Sequence, residues 1–220
     1  MRLPDGEAHH VLKVLRGRTG DALEVVAADR RLFAAELRGG REAAVLEALE
    51  APEEQGEVSL YQAVPKGGRM DLVVEKATEV GVTSIVALVT ERGIVDPGGP
   101  KIERWRRVAG AAARQSLRMG VPEVLGPVRF AEAALRVGEG GVLLHNARDL
   151  APLEDVVRFP VSLFVGPEGG WSGEEMRLAR EAGLAFARLG PYRLRSETAG
   201  IVAVARARAA MESKNVVERS

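Results

Sequence analysis

The sequence has no cysteine and only three histidines, two of which are adjacent. A disulfide framework and a thiolate metal site are therefore excluded. A structural zinc site is not expected either, because too few ligands of the required kind are present. No apolar segment approaches the ~20 residues that a membrane-spanning helix needs, and the chain does not open on a secretory signal pattern. We therefore expect a cytoplasmic protein with no membrane partner and no metal.

The chain also lacks a net charge, since its 220 residues include 31 basic and 31 acidic ones and the formal sum is zero. That balance argues against a protein that coats nucleic acid indiscriminately, although a local arginine surface is sufficient for binding RNA. The length of the chain and its 46% hydrophobic content indicate a globular protein. We expect a small domain followed by a larger one.

The first fifty residues have the pattern of a small β-domain with short β-prone segments between turn residues. The charged run EAPEEQGE at residues 50–57 carries Pro and Gly and is the predicted linker. We thus predict one domain over residues 1–56 and a second over residues 57–220. The predicted elements of the first are a helix at residues 9–15 and strands at residues 22–28, 32–37 and 43–49.

From residue 58 onward, strand-like and helix-like segments alternate. Such alternation predicts a mostly parallel sheet covered by helices on both faces, the α/β class. Ligands of such sheets bind at the carboxyl ends of the strands. The predicted strands are residues 58–64, 82–90, 142–144, 161–165 and 185–189, and the predicted helices are residues 70–80, 101–119, 173–182 and 198–211.

Two glycine-proline corners in this domain carry the strongest ligand signal. The first, VSLFVGPEGGW at residues 161–171, is an apolar strand that runs into three glycines, a proline and an acid. The second, LGPYRLRSETA at residues 189–199, repeats the arrangement before another helix. Glycine lets backbone approach a ligand where a Cβ would collide, so we predict that the two corners form one pocket. Ser172 and Glu175 form an S-x-x-E capping box after the first corner.

The first corner lacks the lysine of a phosphate-binding P-loop and the spacing of a G-x-G-x-x-G fingerprint. Because Glu168 would also repel a polyphosphate, a neutral or positively charged ligand is favoured over a nucleoside triphosphate. Glu168 and Glu197 are candidate working carboxylates, and the alternative is that backbone N–H groups satisfy them. His145 and Asn146 either line the same crevice or lie beside it. Trp171 is either a packing residue or a stacking platform for a base.

The predicted helix at residues 101–119 has an apolar side and a basic side. The basic side carries Arg104, Arg107, Arg114 and Arg118 with no acid between them. A solvated helix face is the alternative interpretation, but such a face normally mixes both signs of charge. Because guanidinium groups match phosphate oxygens bidentately, we predict that this face contacts an RNA backbone.

Several segments together resemble the RsmE family, the 16S rRNA uridine-N3 methyltransferases of the SPOUT superfamily. The resemblance covers about residues 61–210, and its segments are specific only in combination. They are KGGRMDLVVEKATEVGV from Lys66, Thr90-Glu91-Arg92, Glu103-Arg104-Trp105, Gln115-Ser116-Leu117-Arg118, Val121-Pro122-Glu123, GPEGG with Trp171 and Ser172, and LGPYRLRSETA from Leu189. Family members usually begin with an arm that carries an Arg-x-Phe-type motif, whereas this chain begins Met1-Arg2-Leu3-Pro4.

The resemblance implies an α/β domain tied in a trefoil knot, which general topology rules would not predict. It also implies a PUA-like amino-terminal β-barrel that grips RNA, and a homodimer in which both subunits complete the site. The implied substrate is one uridine of 16S rRNA, free or in the 30S subunit, and the implied methyl donor is S-adenosylmethionine. The residues implied to hold the donor are Leu143, Leu144, His145, Val165, Gly166, Pro167, Glu168, Gly169, Gly170, Leu189, Gly190, Tyr192, Leu194, Arg195 and Thr198.

Methylation at N3 requires that the uracil lose its N3 proton. A base must accept that proton, or a positive group must stabilise the resulting anion. We predict that Arg195 or Arg118 supplies the positive charge and that Glu168 or Glu197 accepts the proton. Two alternatives are another SPOUT-type methyltransferase, acting on tRNA or on other rRNA, and an RNA-binding module without catalysis. The predicted RNA-binding residues are Arg16, Arg92, Arg104, Arg107, Arg114 and Arg118.

Overall fold

A computed structural model of the chain describes residues 1–27, 29, 31–50, 56–93 and 97–218. The chain forms two compact units, Met1–Glu54 with Arg114–Gly120, and Gln55–Ala113 with Val121–Ser220. Residues 51–55 of the predicted linker and residue 28 at the end of the first predicted strand lie outside the described residues. The sequence does not predict that residues 114–120 group with the first unit, because the amino-acid composition does not change at either end of this segment.

The first unit contains a small antiparallel sheet with strand order β1-β2-β3. A bridge between Arg2 and Glu42 adds the start of the chain to it, and Leu3, Ala8 and Leu37 form its buried core. The helix begins before the predicted residue 9 and continues into a π-helical segment. The bounds are α1 Asp5–His9, the π-helix His10–Val14, β1 Ala22–Val26, β2 Leu32–Gly39 and β3 Glu42–Leu49.

The second unit contains a six-stranded sheet with strand order β6-β5-β4-β8-β7-β9, in which every pair is parallel. The predicted α/β class is therefore confirmed. The elements are β4 Val58–Ala63, α2 Met70–Glu79, β5 Ser84–Val89, α3 Gly99–Gln115, β6 Glu123–Arg129, α4 Phe130–Val137, β7 Gly141–Leu144, α5 Leu153–Val156, β8 Val161–Val165, α6 Gly173–Glu181, β9 Ala185–Ala187 and α7 Ser196–Glu218, with a 3₁₀ turn at Gly138–Gly140.

Alternate strand residues of this sheet contribute to two separate apolar cores, as the two-residue period of a strand requires. Leu60 and Ile85 belong to the core that includes residues of α2, α3 and α7. Tyr61 and Val86 belong to the core that includes residues of α4 and α6. Helices thus cover both faces, and the carboxyl ends of the parallel strands meet at one edge.

Three elements were not predicted, namely β6, α4 and α5. Strand β6 contains Gly126-Pro127, a pair that normally marks a turn. Gly126 has a φ of 107°, and a Cβ there would lie 2.7 Å from the carbonyl oxygen of Ala87 on β5. The predicted end of α3 at residue 119 is wrong. The helix ends at Gln115, and Leu117 has a φ of 54°, which no helix accommodates.

Candidate active site

A cavity of about 370 Å³ opens at the carboxyl ends of β7 and β8. Its volume lies within the range of about 300–1,000 Å³ that is typical of small-molecule sites. Both glycine-proline corners line it, so the structure brings together the two segments that the sequence predicted to form one pocket. The lining residues are Leu144, His145, Asn146, Val165, Gly166, Pro167, Glu168, Gly170, Trp171, Leu189, Gly190, Tyr192, Arg193, Leu194, Arg195, Ser196 and Ala199.

Three of the residues implied to hold the cofactor are not among those that line the cavity. Leu143 is wholly buried inside β7, because successive side chains of a strand alternate between faces. Gly169 contributes its carbonyl to a contact with Arg92, and Thr198 is exposed in the first turn of α7. Conversely, five residues line the cavity that are not among those implied to hold the cofactor, although the last three lie within the second corner: Asn146, Trp171, Arg193, Ser196 and Ala199.

Trp171 connects the first corner to the end of β7. Its side chain is only 7% exposed, and its Nε1 donates a hydrogen bond to the carbonyl oxygen of Leu144 at 3.0 Å. A Cβ on Gly166 would lie 3.0 Å from the indole ring, so glycine allows the backbone to pass close to the tryptophan. Of the two alternatives left open for Trp171, the structure supports packing.

Backbone and side-chain contacts from neighbouring loops fix the conformation of the first corner. The Lys66 N–H donates to Oε1 of Glu168 at 3.0 Å. One oxygen of this carboxylate is therefore satisfied by a backbone N–H group, as the second of the two alternatives for Glu168 expected. Arg92 donates from Nη1 to the carbonyl oxygen of Gly169 at 3.1 Å. Arg92, predicted to bind RNA, therefore also braces the corner.

The predicted capping box of α6 is confirmed. The Ser172 hydroxyl accepts from the Glu175 N–H at 3.1 Å, and Oε2 of Glu175 accepts from the Ser172 N–H at 2.8 Å. The other carboxylate oxygen of Glu175 accepts from the Glu91 N–H at 2.9 Å. The box therefore anchors the loop after β5 as well as starting the helix.

A buried hydrogen-bond relay joins the two corners. Nε2 of Gln62, on β4, donates to the Ser196 hydroxyl at 2.9 Å, and that hydroxyl donates to the Gly166 carbonyl oxygen at 2.7 Å. The amide orientation is fixed because Nε2 also donates to the Ala63 carbonyl oxygen. A Cβ on Gly200 would lie 2.2 Å from Oε1 of Gln62. A side chain at position 200 would therefore displace the Gln62 amide from the relay.

The second corner is held from behind by Arg206 of α7. Its guanidinium donates to the carbonyl oxygen of Leu189 and forms a two-pronged ion pair with Glu154 of α5. Burial alone would raise the pKa of Glu154, but the hydrogen bonds from Arg206 hold this pKa below its ordinary value of 4.5. The carboxylate is therefore ionised at neutral pH, as the ion pair requires.

The lip of the cavity, defined as Tyr192, Arg193 and Arg195, is exposed to solvent. Neither guanidinium makes a hydrogen bond or an ion pair with another residue in the part of the chain that the structure describes. The two charges therefore remain available to a ligand that enters the cavity or covers its mouth.

Of the four predicted catalytic residues, only Arg195 and Glu168 line the cavity. Glu197 does not line it. Its side chain is buried, with Oε1 at 3.4 Å from Nε of Arg69 and Oε2 without a partner among the residues described. Arg118 lies beyond the end of α3, in the segment that groups with the first unit, and does not line the cavity either.

The predicted arginine face of α3 is largely engaged by carboxylates from other elements. Arg104 pairs with Asp71, whose Oδ1 also accepts from Nε1 of Trp105 at 3.0 Å, and Arg114 pairs with Glu7 at 2.8 Å. Arg107 is exposed and makes no ion pair within the described ranges. Two of the four arginines on this face are therefore neutralised by carboxylates of other elements, and its contact with RNA stays a prediction. Arg16, also predicted to bind RNA, is exposed at a φ of 58°.

No described helix meets the length and hydropathy that a membrane span requires. Within the same residues there is no group of three or more His, Asp or Glu side chains that could hold a metal ion. Fold and site together define an α/β protein with a small-molecule cavity at its strand ends and unpaired cations at the mouth of that cavity. This combination is typical of an enzyme that brings a small cofactor to a polyanionic substrate.

Comparison with known proteins identifies the family. Residues 52–208 match the RNA methyltransferase domain family. Ribosomal RNA small subunit methyltransferase E of Synechocystis is 33% identical over 96% of this chain and 73% of its own. The enzyme of the same name from Neisseria gonorrhoeae, solved with S-adenosylmethionine, superposes with a TM-score of 0.80 at 30% identity, covering 95% of this chain and 91% of that one.

A putative methyltransferase from Legionella pneumophila, also solved with S-adenosylmethionine, has a TM-score of 0.78 at 32% identity and covers 96% of this chain and 91% of its own. The chain belongs to the RNA methyltransferase domain family and, within it, to the family of ribosomal RNA small subunit methyltransferase E. The resemblance seen in the sequence is thereby confirmed.

Proposed function

We propose that this protein transfers a methyl group from S-adenosylmethionine to N3 of one uridine in 16S rRNA. The observation that carries the proposal is the cavity formed by the two glycine-proline corners, with Glu168 inside it and Arg193 and Arg195 unpaired at its lip. Relatives of about one-third identity along nearly the whole chain are small-subunit rRNA methyltransferases, and solved relatives hold S-adenosylmethionine.

The residues that line the cavity fit this cofactor. S-adenosylmethionine supplies an electrophilic methyl group on a sulfonium cation, and its amino-acid end carries one charge of each sign. Glu168 lines the cavity together with Arg193 and Arg195, so a cofactor that carries charges of both signs does not meet a field of one sign only. Glycines at positions 170 and 190 leave the backbone open to close approach, since a Cβ at either would meet no other atom within 4 Å. Trp171 lines the cavity and links the first corner to the end of β7 through its hydrogen bond to Leu144.

The chain's share of the reaction is to align the uracil with the methyl donor, to exclude water and to remove the N3 proton. Arg195 stabilises the negative charge that develops on the uracil carbonyls. Oε1 of Glu168 accepts from the Lys66 N–H, so its other oxygen is left to accept the N3 proton. Glu197 is less suited to that role, because it pairs with Arg69 outside the cavity lining.

We further propose that the second unit carries the trefoil knot of SPOUT enzymes and that the first unit is a PUA-like barrel. The all-parallel strand order β6-β5-β4-β8-β7-β9 supports the former. The antiparallel sheet with its additional bridge at Arg2 supports the latter. We also propose that the protein acts as a homodimer in the cytoplasm, where its ribosomal substrate is found.

The proposal is tested by incubating the full-length protein and labelled S-adenosylmethionine with purified 30S subunits, naked 16S rRNA and bulk tRNA in parallel. Label in 16S rRNA that maps to N3 of a single uridine is the expected result. Label in tRNA, or at another atom of rRNA, would favour the alternative that the protein is an RNA methyltransferase with a different target. Failure to bind S-adenosylmethionine would favour a non-catalytic RNA-binding module. A parallel reaction with a chelator should retain full activity, because no step above uses a metal.

A further inference from the structure

The chain has nine aromatic residues, five Phe, two Tyr and two Trp. All but one are buried or half-buried. The exception is Tyr192, whose side chain is 82% exposed. Exposing an aromatic ring to water is unfavourable, and aromatic side chains on a surface are enriched where a partner covers them. Tyr192 is therefore the one aromatic ring of the chain that is open to a partner outside it.

The position of Tyr192 indicates which kind of partner. It lines the cavity and lies directly between Pro191 and Arg193 in the second corner, with Arg195 two residues further on. The lip thus presents one exposed ring and two guanidinium groups without intramolecular partners. A ring face stacks on a nucleobase, and guanidinium groups bind phosphate oxygens. An unpaired stretch of RNA offers both groups within one nucleotide.

We propose that Tyr192 stacks on the unpaired RNA base that enters the cavity and so positions it for methyl transfer. This inference rests on the proposed function, which supplies the RNA substrate. It also reassigns Tyr192, which the resemblance placed among the cofactor-binding residues. A ring that closed over the cofactor would be shielded by the cavity walls, whereas this one is almost fully exposed. Stacking is tolerant of sequence because every base has a π-face, so specificity for uracil lies deeper in the cavity.

The test compares Tyr192→Ala, Tyr192→Leu and Tyr192→Phe in the full-length protein. The equilibrium affinity for 16S rRNA and for purified 30S subunits is measured over a range of salt concentrations. The affinity for S-adenosylmethionine is measured without RNA. Leu135→Ala is the matched control, since Leu135 is also strongly exposed, at 71%, but does not line the cavity. Arg193→Ala provides the electrostatic comparison.

Loss of a stacked base weakens binding by about fivefold to a hundredfold. We expect a loss of this size for Tyr192→Ala, a smaller loss for Tyr192→Leu and nearly none for Tyr192→Phe, which keeps the ring. Because stacking releases no counterions, the slope of log affinity against log salt should stay the same in Tyr192→Ala. In Arg193→Ala the slope should fall by about one. Affinity for S-adenosylmethionine should remain within about twofold of wild type.

Three results would overturn the inference. One is an RNA affinity of Tyr192→Ala equal to that of Leu135→Ala. Another is a selective loss of S-adenosylmethionine affinity, which would return Tyr192 to the cofactor site. The third is a change in oligomeric state by sedimentation that accounts for the whole loss, which would make the ring a subunit contact. None of these depends on methyl transfer, so failure of the proposed function would be recognised separately, by wild-type protein that binds RNA but methylates none of it.

Discussion

Arginines occupy two regions of this protein and have different partners in each. On α3, Arg104 pairs with Asp71 and Arg114 pairs with Glu7. At the lip of the cavity, Arg193 and Arg195 are exposed and make no such pair with any residue that the structure describes. A run of basic residues in sequence therefore says little about which charges a folded protein leaves free, because the neutralising acids come from other elements.

The largest expected effect is that of Arg195→Ala. Removing a positively charged donor from the developing anion should lower kcat for methyl transfer about a hundredfold or more. Affinity for S-adenosylmethionine should change little, because the backbone and the other lining residues remain. Single-turnover methylation and calorimetric cofactor binding measure the two separately. Arg104→Ala is the control, and equal loss of activity in both variants would abolish the distinction between the two regions.

A second substitution tests how the lip is held in place. Ser196→Ala removes both hydrogen bonds through which the relay joins Gln62 to the Gly166 carbonyl. Because the relay fixes the two corners relative to each other, we expect affinity for S-adenosylmethionine to fall about tenfold, the equivalent of one to two buried hydrogen bonds. Ser196→Thr keeps the hydroxyl and should restore most of the affinity. A lower melting temperature with unchanged cofactor affinity would mean that the relay only stabilises the fold.

A smaller effect on RNA affinity is expected to distinguish two arginines of α3, Arg107 and Arg104. Arg107, which is exposed and unpaired within the described ranges, remains the best candidate on this helix for a phosphate contact. Arg107→Ala should reduce RNA affinity severalfold and lower the salt slope by about one. Arg104→Ala should change both by less, since Asp71 already holds that guanidinium. The reverse order would show that RNA displaces Asp71.

The pocket could be predicted from sequence because its signals are local. An apolar strand followed by Gly-Pro, as at residues 161–171 and 189–199, indicates a strand end where backbone is open, and strand ends of a parallel sheet meet at one edge. The capping box of Ser172 and Glu175 is a local signal as well.

Other features depend on contacts between residues far apart in the chain. Asp71 and Arg104 are 33 residues apart, and Gln62 and Ser196 are 134 apart, so no window of sequence contains both partners. Gln62 is polar, but so is Ser59 on the same strand, so polarity within the strand did not single out Gln62 as part of the relay. Strand β6 was missed for a different reason. Its Gly126-Pro127 has the signature of a turn, and only the approach to Ala87 on β5 explains the glycine.

The smallest expected effect concerns Arg206, a paired arginine that holds the second corner from behind through Leu189. The pKa of Glu154 is lowered in the fold by Arg206, against the opposing effect of burial. A carboxyl with a lowered pKa stabilises the fold above its unfolded pKa, and this contribution is lost as pH falls through the folded pKa. Because the pair is partly exposed, its contribution should stay below about 1 kcal/mol.

Thermal unfolding of wild type and Glu154→Gln, from neutral pH to well below 4.5, measures this contribution. Wild type should be slightly more stable at neutral pH, and the two curves should converge as the carboxylate takes up its proton. Cofactor affinity at neutral pH should also fall slightly in the variant, because Arg206 would lose the partner that orients it toward Leu189. If the difference in stability between wild type and variant stayed constant with pH, Glu154 would act through packing and not through its charge. The positions of Arg193 and Arg195 would then be fixed by the backbone of the second corner and not by the ion pair behind it.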